Sequence, residues 1–87
     1  MSKLVVELKI GDYDKWRSVF DKNKPWRDQA GFRNIRIYRN ADDSNDVVLL
    51  GETSDTRKLR KAMTAPELRA IMREAGVVGT PLVHIIR

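Results

Sequence analysis

The feature that most constrains this chain is the way its hydrophobic period changes along its length. From Leu4 to Ile10 apolar residues alternate with polar ones: Leu4, Val6, Leu8 and Ile10 fall on one side, Glu7 and Lys9 on the other. A period of two is that of a strand with one covered face. Beyond Gly11 the period lengthens. Tyr13, Trp16, Val19, Phe20 and Asn23 recur at the three-and-four spacing of one helical face, with Asp12 placed to cap it. Pro25 predicts a kink or restart near Lys24, Trp26 and Ala30 continue the face, and Gly31 is a natural stop.

The period returns to two over residues 32–39, and Val47 to Thr53 forms a third strand after the polar loop Asn40 to Asp46. So short a connection predicts an antiparallel hairpin. Ser54-Asp55-Thr56 opens a second helix bearing Leu59, Ala62 and Met63. Thr64 is placed to cap a restart, with Glu67 as its capping-box partner and Pro66 in the first turn. Leu68, Ile71, Met72 and Ala75 make the apolar stripe, Met63 and Met72 reading as core filler, and Gly76 ends it. Leu82–Arg87 reads as the last strand. The order strand, helix, strand, strand, helix, strand is that of a ferredoxin-like α+β domain: a four-stranded antiparallel sheet with two helices on one face, all of residues 1–87 in one domain.

A core this small usually needs a staple or a partner. The sequence has no cysteine, which excludes disulfides and thiolate metal sites. The strands point to a partner. Val48 and Leu50 oppose Val47 and Leu49; Leu82, His84 and Ile86 oppose Val83 and Ile85; and Val5 opposes Leu4 and Val6. Both sheet faces are partly apolar and helices can cover only one, so a homodimer through the sheet face is expected. The N-terminus has no signal-peptide core and no apolar run approaches a bilayer's thickness, so a cytoplasmic protein that does not enter a membrane is expected. The net charge of +5 raises the question of RNA. An RNA-recognition sheet carries aromatics on its third strand, and Val47 to Thr53 has none, so no specific nucleic acid is expected.

Asp12-Tyr13-Asp14-Lys15-Trp16 with Val19-Phe20-Asp21, Arg39-Asn40-Ala41-Asp42-Asp43, Ala65-Pro66-Glu67-Leu68 and Ala75-Gly76-Val77-Val78-Gly79 together resemble a small branch of the dimeric α/β-barrel proteins, those labelled cyclase-like or antibiotic-biosynthesis-monooxygenase-like. The likeness spans nearly the whole chain. It implies a dimeric α/β barrel with a pocket between the sheet and helices of each subunit, in a superfamily of cofactor-free oxygenases, polyketide cyclases, haem-degrading enzymes and proteins without assigned activity. No catalytic motif of that superfamily transfers residue by residue, and Lys22-Asn23-Lys24-Pro25-Trp26 departs from the branch's small residues in the first helix.

Candidate site residues follow. Trp16, Phe20 and Trp26 are either core packing or the wall of a pocket for a small aromatic or polycyclic compound. Asn34, Arg36 and Tyr38 share a face of the second strand; turned inward, they are polar contacts of that pocket, with Arg36 able to hold a carboxylate or phenolate, and turned outward they are a solvent face or dimer rim. His84, the only histidine, is a candidate base with Tyr38 as a second proton-transfer group, or else a core or interface residue. No ligand set for a metal or cofactor is present, so neither is expected. The remaining alternative is a non-enzymatic dimeric domain.

Overall fold

The computed structural model describes all residues, Met1–Arg87. Its elements run β1 (Ser2–Ile10), α1 (Tyr13–Lys22), α2 (Lys24–Ala30), β2 (Arg33–Arg39), β3 (Asp46–Thr53), α3 (Thr56–Met63), α4 (Pro66–Glu74) and β4 (Val77–Ile86). The strands form one antiparallel sheet in the order β2-β3-β1-β4. This is the ferredoxin-like α+β arrangement, with each crossover helix broken in two. No helix is long and apolar enough to cross a membrane.

Both breaks have local causes. The Asn23 side chain donates to the Val19 carbonyl at 2.8 Å, ending α1, and Pro25 in the first turn of α2 lacks the N–H that continuing the ladder requires. Asp12 starts α1 by accepting from the Asp14 N–H at 3.0 Å, and Asp55 starts α3 by accepting from the Lys58 N–H at 3.0 Å. Gly31 ends α2 in the left-handed region at φ 80°, and the Phe32 N–H returns to the Arg27 carbonyl. At the second break the expected capping box does not form. Ala65 occupies the cap position of α4, while the Thr64 hydroxyl turns back to the Lys61 carbonyl at 3.1 Å and closes α3 instead. That hydroxyl reaches an unpaired carbonyl of the preceding turn, and Pro66 has already removed one of the orphan donors it would have served.

The last strand is longer than expected, starting at Val77 rather than Leu82. It pairs Val77 with Ile10 and Val78 with Lys9, then slips register before Leu82 pairs with Glu7. Gly79, at φ 73°, and Pro81 lie in the slipped stretch, and β4 is an edge strand, where a missing donor is tolerated. A second bulge lies in β2 between Arg33 and Arg36, where Asn34 adopts φ 53°, a conformation that asparagine accepts more readily than most residues.

These registers settle the two sheet faces. Leu4, Val6, Leu8 and Ile10 of β1 and Val47 and Leu49 of β3 are buried under the helices with Trp16, Val19, Phe32, Leu59 and Ala75. On the opposite face Val5 pairs with Leu50 and His84, and Glu7 with Val48 and Leu82. No element of the chain covers that face. Tyr38, Leu50, Leu82 and Ile86 are 46%, 38%, 57% and 47% exposed on it.

Candidate functional site

A cavity of about 320 Å³ lies between the inner sheet face and the helices. Its floor is Val6, Leu8, Leu49 and Val83; α1 and α2 contribute Trp16, Phe20, Asn23, Trp26 and Arg27; α4 contributes Leu68, Arg69, Ile71 and Met72. The cavity exists because of the two helix breaks. The turn at Asn23 redirects the chain, so Trp26 on α2 and Phe20 on α1 flank one space that a straight helix would leave to a single stripe. Met63 packs against the core, as expected, and with Met72 it also lines the cavity.

The aromatic wall is ordered by stacking. Trp16 is buried, and its ring lies 5.0 Å from that of Phe20 at an interplanar angle of 28°, and 5.8 Å from that of Tyr13. Each end is closed by an arginine: Arg39 sits 3.9 Å from the Tyr13 ring centre and Arg27 sits 3.6 Å from that of Phe20. Arg27 also donates to the Phe20 carbonyl oxygen. Loss of hydration pushes the Arg27 guanidinium below its ordinary range, opposed by attraction to Asp21 and Asp28.

The residues singled out from sequence divide between the two faces. Trp16, Phe20 and Trp26 line the cavity together. Arg36, Tyr38 and His84 do not: Arg36 and Tyr38 pair with Leu50 and Val48, and His84 with Val5, all on the uncovered face. Of the two orientations open for Arg36 and Tyr38, the outward one is observed. Three histidine, cysteine or carboxylate side chains that could hold a metal ion come together nowhere. The cavity's own charged residues, Arg27 and Arg69, were not among the sequence candidates. Arg27 directly follows Trp26, and that adjacency to a candidate wall residue was the available signal.

The same architecture recurs in solved structures. SnoaB, a cofactor-independent oxygenase from Streptomyces nogalater, matches with a TM-score of 0.71 at 19% identity, over 99% of this chain and 92% of that one. A provisionally assigned antibiotic biosynthesis monooxygenase from Bordetella bronchiseptica matches with a TM-score of 0.78 at 9% identity, over 99% of this chain and 94% of that one. The fold is that of the antibiotic biosynthesis monooxygenase proteins. A further antibiotic biosynthesis monooxygenase matches with a TM-score of 0.69 at 14% identity, over 100% of this chain and 97% of that one. No protein-family model and no curated protein matches the sequence. The fold expected from the short motifs is the fold found, and at these identities the agreement concerns backbone alone.

Proposed function

We propose that this chain is a homodimeric, monooxygenase-like domain that takes a small aromatic or polycyclic compound into the cavity of each protomer. The observation carrying this reading is the cavity itself, walled by Trp16, Phe20 and Trp26 and close in size to the smallest ligand pockets, about 300 Å³. The uncovered sheet face supports the dimer: its apolar residues are flanked by Lys3, Arg36 and Glu52, charges of both signs that a twofold axis can pair.

SnoaB, described as a cofactor-independent oxygenase, shares the fold and supports oxygenation as the chemistry. An electron-rich phenol supplies its own reducing equivalents: a naphthol and O2 give a naphthoquinone and water, with one oxygen atom entering the ring. The residues here would bind and orient such a compound and shield it from water. His84 and Tyr38, the proton-transfer candidates, would act only from the dimer face.

No Asp, Glu, His, Lys or Tyr lines the cavity, and this favours a second reading, a ligand-binding domain that performs no chemistry. Oxygen uptake separates the two. With a naphthol and isotope-labelled dioxygen, the oxygenase reading expects uptake matched by labelled quinone and abolished by Met72→Trp, which fills the cavity. Binding of the naphthol without any uptake would leave the ligand-binding reading.

A further inference from the structure

The cavity of this protein is cationic as well as apolar. Arg27 and Arg69 are its only ionisable lining residues. Arg27 is half-buried, and unlike its neighbours it has no carboxylate in contact. Asp21 is held by Arg17 at 3.1 Å and Asp28 by Lys24 at 2.9 Å, while Lys22 pairs with Glu74. The one hydrogen bond that the Arg27 guanidinium makes goes to a neutral backbone carbonyl, that of Phe20. A guanidinium presents five N–H donors, so most of its fork is without an acceptor. A cation in an apolar wall with no carboxylate in contact is only partly compensated by the more distant Asp21 and Asp28, and a bound anion would offset the remaining cost.

We propose that the compound bound here is an aromatic carboxylate, its ring against Trp16 and Trp26 and its carboxylate on the Arg27 guanidinium. The proposal rests on the reading of the cavity as a ligand site and narrows it to one class. A carboxylate suits the position better than a neutral phenol because it is ionised at neutral pH and matches the planar fork with two parallel hydrogen bonds. Stacking of Arg27 on Phe20 holds the guanidinium plane in place beforehand, so little side-chain freedom is lost on binding. Arg69, exposed on α4, adds attraction at longer range.

Calorimetric titration of the full chain with naphthoate and with naphthamide, which share a ring system and differ in charge, tests the assignment. Naphthoate should bind about tenfold more tightly or better, as expected of a hydrogen bond to a charged group. Arg27→Gln should abolish the preference, Arg27→Lys should retain part of it, and Arg69→Gln should reduce it only slightly. In the parent protein, raising the salt concentration should weaken naphthoate and leave naphthamide unaffected, a readout independent of any variant's folding. Equal affinity for the two compounds would overturn the carboxylate and leave the cavity a ligand site. A preference that survives Arg27→Gln and disappears in Arg69→Gln would move the counter-ion to α4 and overturn the assignment to Arg27. If neither compound binds, the cavity reading falls and this proposal falls with it.

Discussion

Asp46 is almost fully buried at the start of β3, and one of its carboxylate oxygens, Oδ1, has no donor. The other accepts from Asn40 at 3.0 Å and lies 3.6 Å from Lys9. A proton on the neighbouring Glu7 carboxyl would supply Asp46 with a further donor. The hydrogen bond to Asp46, reinforced by repulsion between the two carboxylates, holds the Glu7 carboxyl above its ordinary 4.5, while Asn40 and Glu7 hold Asp46 below its ordinary 3.8. The two have opposite consequences. The folded protein keeps the Glu7 proton longer than the unfolded chain does, so that contribution is complete below pH 4.5 and is lost as pH rises through the elevated value. Asp46 contributes stability above pH 3.8 that is lost as pH falls through its depressed value. Glu7→Gln carries a permanent donor, so its melting temperature should exceed the parent's near pH ~7 and the gap should close on acidification. A gap that is constant across the pH series would show that the pair shares no proton. The proton pair was not legible in the sequence, because Glu7 and Asp46 lie far apart in the chain and meet only through the β1–β3 register. His84 was legible as a candidate, but the face it occupies was not, since both alternating sets of β4 are apolar.

At the scale of elements, the sequence periods located every helix and strand, and the departures come from backbone conformations that a hydrophobic pattern does not record. The start of β4 was hidden by Gly79 and Pro81, which read as a loop and form a bulge on an edge strand. The pairing of β2 with β3 depends on a close approach at Gly51. The Phe32 ring packs over its Cα, and a side chain there would strike that ring and crowd the Arg33 carbonyl. Gly51→Ala must therefore displace a buried aromatic at the cavity edge, and the expected cost is about 1–3 kcal/mol. Urea unfolding should show this as a lower midpoint with an unchanged slope. An unaltered midpoint would mean that the Phe32 ring is free to move aside. The helix breaks were visible in Asn23-Lys24-Pro25 and Thr64-Ala65-Pro66, yet the cavity they open was not, because a wall of Trp, Phe, Met and Leu has the same pattern as a filled core. Arg27 escaped notice for a related reason: a charge on a helix ordinarily reads as solvated.

The whole molecule has one sheet face under helices and one bare. The bare face should join two chains, so sedimentation equilibrium at micromolar concentration should return twice the 10.0 kDa chain mass. Val48→Lys, on the bare face, should give monomers. Val83→Lys, on the cavity floor, should impair ligand binding instead. A monomeric parent would remove the dimer from the account. The covered face should take the ligand, and the protein's two tryptophans, Trp16 and Trp26, both line that cavity. Their indole N–H resonances therefore report on it directly. Titrating a naphthol into the isotope-labelled protein should shift both indole signals in a saturable manner and leave the imidazole signals of His84, on the bare face, unmoved. Saturable shifts at His84 with both indoles unchanged would place the site on the wrong face and contradict the account.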